Sequence, residues 1–233
     1  MVATPGEPVG PVVSVFPVQA RARVTRQTLL VAAATRFAEV GYHGTSMSDV
    51  ISASRVTKGA LYFHFASKRA LAEAVVAEMV AVWGVMVVEV RARGLDPLWT
   101  LLAQADEVVA RVINDPIARG GVQLVMDPGV VCAGADAHFS YGEVVAREQL
   151  TAAEAAGLLR PGVDPARVAR VVVAMMTGCD LVWGRDQLWE VLTDLWRGLL
   201  PVIATDAWLE RWRAVDWPRR AMPAITERLG SVR

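Results

Sequence analysis

Lys58, Gly59, Tyr62 and His64 fall on one short stretch of the chain, and their types suit a single kind of partner. A lysine ammonium reaches a base edge or a phosphate, and a phenol and an imidazole donate to phosphate oxygens. Gly59 costs a helix roughly 1 kcal/mol relative to alanine, so its presence implies that the backbone there must come close to something. A groove wall of duplex DNA is such a surface. Lys68 opens the next helix, where free backbone N–H groups also attract anions.

Two short helices are needed to present that stretch. Ser46 followed by Asp49 has the spacing of a capping box, so a helix is predicted to begin near Met47, with Val50, Ile51 and Ala53 as its small apolar face. After Ser54-Arg55-Val56, Thr57 is placed to cap a second helix whose Leu61 and Phe65 point inward at i, i+4. Thr45, Ser46 and Thr57 join the outward residues as candidate DNA contacts. Val24 to Val40, with Leu29, Leu30, Ala33 and Phe37 at helical spacing and Gly41 as its stop, supports the pair from behind.

Charge is distributed to match. The chain holds 24 basic and 24 acidic residues, a formal net charge of zero. Residues 19–70, however, carry eight basic groups against two acidic ones, and they include both of the chain's lysines, Lys58 and Lys68. The neutral average hides a cationic front end able to displace counterions from DNA and an acidic remainder that should not bind it.

The run Gly41-Tyr42-His43-Gly44-Thr45-Ser46, the run from Val56 to Phe65, and Ser67-Lys68 with Leu71 resemble the N-terminal domain of the TetR (tetracycline-repressor) family. The run Tyr62-Phe63-His64-Phe65 and the length of the C-terminal part are most similar to the γ-butyrolactone autoregulator receptors of actinomycetes. The resemblance implies an all-α homodimer that binds an inverted-repeat operator and is released by a small molecule in the C-terminal domain.

The rest of the chain agrees with that architecture. At 233 residues, 54% hydrophobic and 21% charged, it can bury a large core. The expected division is a flexible arm over 1–18, a helix-turn-helix domain over 19–70, a helical ligand-binding and dimerisation domain over 71–215 and a tail over 216–233. Helices are predicted from Lys68 to about Arg93, Pro97 to Asn114, Pro116 to Met126, about His138 to Leu158, Pro165 to Trp183, Gln187 to Ala204 and Asp206 to about Val215. The apolar stretch from Ala70 to Val90 contains Glu73, Glu78 and Glu89 and so reads as a buried helix rather than a membrane span. The start lacks the basic and apolar pattern of an export signal, and a cytoplasmic location is expected.

The resemblance implies two further surfaces. In such receptors a mostly apolar cavity lies among the C-terminal helices, and the candidates here are Trp83, Met86, Trp99, Val122, Gln123, Met126, Phe139, Tyr141 and Thr177, with Cys179 nearby. Those receptors carry a tryptophan near the start of the seventh helix, where this chain has Gly142. The last two long helices would pair with their copies in a homodimer, with Trp189, Leu192 and Trp196 near the centre, although periodicity alone equally allows these residues to line a monomer core.

Catalysis is not expected. Of the histidines His43, His64 and His138, only the last lies away from the cationic end, and Cys132 and Asp136 beside it sit in a Gly/Ala-rich loop. Cys132 and Cys179 make no metal or disulfide framework, and no cofactor is expected. The alternative retained is a DNA-binding regulator of the same fold that has no small-molecule ligand or answers to an unrelated effector such as an antibiotic.

Overall fold

A computed structural model describes residues 16–127 and 135–224. The described residues form ten α-helices and two short 3-10 turns. The first four helices are α1 (Phe16–Gly44), α2 (Met47–Ser54), α3 (Lys58–His64) and α4 (Lys68–Arg91). Next come α5 (Pro97–Asn114), α6 (Pro116–Met126), α7 (Ala135–Ala155) and α8 (Pro165–Val182). The series ends with α9 (Leu188–Ile203) and α10 (Asp206–Ala214). The chain folds as an all-α protein with an N-terminal helix-turn-helix and a C-terminal helical domain, as expected.

Capping chemistry sets most boundaries. Asp96, Asp115 and Asp164 each accept a backbone N–H at the start of α5, α6 and α8, and each is followed by a proline, whose missing donor costs nothing in a first turn. Helix α1 begins eight residues before the expected Val24, because Gln19 to Arg23 are compatible with helix and Pro17 lies in the tolerant first turn. Gly41 breaks α1 where predicted, at φ +72 and ψ 175. Helix α7 stops at Ala155 rather than Leu158, because Gly157 turns left-handed at φ +67 and Leu158 N–H returns to the Ala153 carbonyl at 2.8 Å. Residues 1–15, most of the expected arm, and residues 128–134, including Cys132, lie outside the described residues.

One apolar core runs through both halves. Leu29, Leu30 and Phe37 of α1, Leu61 of α3, and Leu71, Val75 and Met79 of α4 close the front end. Helix α4 is long and apolar enough to cross a membrane by length and composition, but its Leu71, Val75, Met79, Trp83, Met86 and Val90 are buried in this core. Helix α6 wedges between α1 and α4 through Gly120 and Gly121. A Cβ on Gly120 would run into the Ala34 carbonyl oxygen and stand 2.7 Å from the Ala34 Cα, and one on Gly121 would stand 2.6 Å from Met79 Sδ. Only glycine lets the wedge seat this deeply.

The C-terminal end is tied down as well. Trp217 is buried, and Arg220 reaches back to Asp106 on α5 with two hydrogen bonds of 2.5 and 2.6 Å. Its guanidinium lies 3.4 Å from the Trp217 ring centroid and 4.2 Å from that of Trp189, and it donates to Thr193 Oγ1 at 3.0 Å. Burial pushes the Asp106 carboxyl above its ordinary range, although Arg220 pulls the other way through its hydrogen bonds and charge. Residues 225–233 lie outside the described residues.

Candidate nucleic-acid interface

Helices α2 and α3 are held at a fixed angle by local hydrogen bonding. Ser46 Oγ accepts from Asp49 N–H at 3.1 Å while the Ser46 N–H and hydroxyl donate to Asp49 Oδ2 at 2.8 and 2.7 Å, completing the capping box. The Ser46 hydroxyl, followed by its backbone N–H, holds the Asp49 carboxyl below the usual range. Arg55 ends α2 in the left-handed region at φ 56, and Thr57 Oγ1 caps α3 by accepting from Ala60 N–H at 3.3 Å. Leu61 and Phe65 are buried, as their spacing predicts, and Arg26 of α1 stands 5.5 Å from the Phe65 ring centroid.

Outward from this frame stand Lys58, Gly59 and Tyr62, all exposed, with His64 half-buried at the end of α3. Nothing lies within 4 Å of where a Gly59 Cβ would be, so the space in front of its backbone is open. Phe63, which sequence reasoning passed over, is 81% exposed and meets His64 edge-on with ring centroids 5.1 Å apart. Its signal was available: with Leu61 and Phe65 fixed as inward, position 63 must point away from the core.

Three of the eight candidate DNA contacts have donors engaged inside the protein: Ser46, whose N–H and hydroxyl go to Asp49, and Thr45 and Lys68. Thr45 is 2% exposed, and its hydroxyl donates to the Gly41 carbonyl at 2.8 Å. Lys68 Nζ donates to the carbonyls of Tyr42 and Thr45, each at 3.0 Å, and sits 4.3 Å from the Tyr42 ring centroid. Its ammonium satisfies the Thr45 carbonyl and adds a second donor to the Tyr42 carbonyl, which already accepts the Thr45 N–H at 3.2 Å. The charge of Lys68 contributes to the field of this end, while its donors are spent on the turn.

The candidate ligand residues fall in separate places. Trp83 and Met86 are buried in α4, and Trp99 of α5 is half-buried against Trp208, with ring centroids 5.4 Å apart. On α6, Val122 and Met126 are half-buried and Gln123 is exposed. Phe139 and Thr177 line an open groove of about 560 Å³ between α7 and α8, where Arg170 faces Glu143 at 3.9 Å; Tyr141 is half-buried on α7. A Cβ on Gly142 would stand in ordinary van der Waals contact with Val173 Cγ2 of α8 at 3.6 Å. Gln104 of α5, missed in the sequence, is buried with neither amide atom hydrogen-bonded.

The expected centre of a dimer interface needs correction. Leu192 and Trp196 are wholly enclosed within the single chain, and Trp189 is half-buried under Arg220, so these three serve the protomer's own core. The stronger hydrophobic stripe on α9 faces inward toward α5 and α8. What α8 and α9 leave outside is a neighbouring set, with Val171 at 47% and Val202 at 67% exposure and Met175, Leu195 and Leu199 half-covered.

An all-helical regulator with a cationic helix-turn-helix at one end is the class these features define. Residues 29–75 match the signature described as bacterial regulatory proteins, tetR family. The A-factor receptor protein of Streptomyces griseus is 34% identical over 190 residues, which take in 80% of this chain and 66% of that one. A γ-butyrolactone receptor described as ArpA-like superposes with a TM-score of 0.76 at 27% identity, covering 83% of this chain and 95% of that chain. The TetR-family protein CprB from Streptomyces coelicolor, solved in complex with its operator sequence, gives a TM-score of 0.74 at 27% identity over 83% of this chain and 95% of that chain. The chain belongs to the TetR family of transcriptional regulators and is not an enzyme.

Proposed function

We propose that this chain is a ligand-responsive repressor that grips an inverted-repeat operator as a homodimer and lets go when a small apolar signal of γ-butyrolactone, butenolide or furan type enters the C-terminal domain. The observation that carries this reading is the extent of the similarity to the A-factor receptor, which continues far beyond the DNA-binding end. The cationic face of Lys58, Gly59, Tyr62 and His64, with Thr57 at the start of α3, supplies the groove contacts. Half-sites about 34 Å apart suit two such faces related by a two-fold axis. The pairing surface is the outer stripe of α8 and α9 around Val171, Met175, Leu199 and Val202, which one protomer leaves uncovered. We infer action in the cytoplasm, where the operator lies.

The coupling route is the Gly120-Gly121 wedge. Helix α6 belongs to the ligand-binding half yet touches α1 and α4, so a ligand that favours one seating of α6 also favours one spacing of the two α3 helices. A gel shift with an inverted-repeat DNA selected by the purified protein tests the whole reading. The shifted band is expected to disappear on adding a hydroxylated γ-butyrolactone or a lipid extract of the producing culture. A band indifferent to every extract favours the second reading, a regulator without such a signal, for which Gly142 in place of the family's tryptophan is the specific observation.

A further inference from the structure

Helix α1 reaches well past the core it serves. Its buried line runs back from Phe37 through Ala33 to Leu30 in steps of four and three residues, and its share of the core ends at Leu29. About three and a half turns remain between Leu29 and the start of the helix at Phe16. The same steps, continued through those turns, reach Arg26, Arg23 and Gln19, all exposed. The face that is apolar over the helix-turn-helix therefore becomes cationic where it overhangs the edge. Arg26 fixes which edge this is, because its guanidinium stands 5.5 Å from the ring centroid of Phe65, the residue that ends α3. The overhang begins beside the far end of the helix whose first turn carries Lys58.

The protein does not answer this charge itself. No acidic residue stands between Glu7 and Glu39 in the sequence. Among the described residues Arg36 is paired with Glu39 and Arg69 with Glu73, while Arg23 and Arg26 make no ion pair. Two such guanidiniums one turn apart, with a glutamine amide a turn further on, match a row of phosphates. A recognition helix that points its first residues at base edges leaves its far end near the sugar–phosphate wall of the groove, so the overhang meets backbone rather than bases. Resting on the operator-binding reading above, we propose that Arg23 and Arg26, with Gln19, form a second DNA contact that clamps the phosphates bordering each half-site. Arg21 lies on the opposite line of the helix, with Thr25 and Thr28, and takes no part beyond its charge. The clamp supplies affinity and register but no sequence preference of its own.

The test compares the full chain with its Arg23→Ala, Arg23→Lys and Arg21→Ala variants on the selected operator, by fluorescence anisotropy across a salt series. Arg23 carries the test because Arg26 also touches Phe65. Arg23→Ala should weaken binding several-fold and lower the slope of log affinity against log salt by about 1, on operator and on unrelated duplex alike. Its melting temperature should match that of wild type, since the side chain is exposed. Arg23→Lys should restore most of the loss, because a phosphate also accepts a point charge. Arg21→Ala should stay closer to wild type than Arg23→Ala in both affinity and slope. Methylphosphonates placed singly along the operator locate the contact: a neutralised phosphate that costs wild type affinity should cost Arg23→Ala nothing. Arg21→Ala weakening binding as much as Arg23→Ala, or no phosphate position separating Arg23→Ala from wild type, overturns the clamp and leaves the operator reading standing on Lys58. A wild-type chain without salt-dependent affinity for any duplex overturns both.

Discussion

Lys58 and Lys68 are the chain's two lysines, and the structure gives them different occupations. Lys58 is exposed at the first turn of α3, whereas Lys68 is drawn back onto the Tyr42 and Thr45 carbonyls. Lys58→Ala should weaken operator binding several-fold at moderate salt and lower the slope of log affinity against log salt by about 1, as read by fluorescence anisotropy across a salt series. Lys68→Met should instead cost on the order of 1 kcal/mol of stability in thermal or urea unfolding, because it strands the Thr45 carbonyl and takes one of two donors from that of Tyr42. An unchanged salt slope for Lys58→Ala would remove that residue from the contact surface. A loss of slope without loss of stability for Lys68→Met would return it to that surface.

At the scale of elements, α6 is the part most sensitive to a single atom. Gly120→Ala drives a methyl group into the Ala34 carbonyl, against backbone that cannot swing aside. The variant should lose about 1–3 kcal/mol in urea unfolding, or keep its fold by shifting α6 and so alter operator affinity in the absence of any ligand. Wild-type values for both quantities would show that α6 has slack at this joint.

Element types and most boundaries were readable from the chain, because caps such as Ser46, Thr57, Asp96, Asp115 and Asp164 act within a few residues of where they stand. The outward face of α3 was readable for the same reason, with Phe63 the omission. What was not readable depends on the far side of a contact. Periodicity marks Leu192 and Trp196 as apolar without saying which neighbour covers them, and the structure gives them to the protomer. It marks Gln123 and Gln104 alike as polar positions on helices, and only packing separates the exposed one from the buried one. The hold on Lys68 spans more than twenty residues of sequence, beyond the reach of any local pattern.

Across the whole molecule, three far-separated parts of the chain meet at one ion pair. Asp106 lies on α5, Trp189 and Thr193 lie on α9, and Arg220 comes from beyond the last helix. Arg220→Ala should destabilise the chain by about 3–5 kcal/mol in chemical unfolding, because Asp106 would stay buried with its charge unanswered. The double change Arg220→Met with Asp106→Asn should recover most of that loss. The proposed operator contacts lie at the opposite end of the chain, so a variant that still folds should keep its DNA affinity. A loss under about 1 kcal/mol for Arg220→Ala would mean that water reaches Asp106.

That tether also bears on how the protein can be handled. A cut made just after α10, where the last α-helix finishes and a shorter version would naturally be drawn, discards the counter-charge of an interior anion together with the indole that shields it. Reporters, affinity handles and crystallisation trims therefore belong downstream of Ala224, and a version ended at Ala214 should be recovered as aggregate rather than as a smaller regulator.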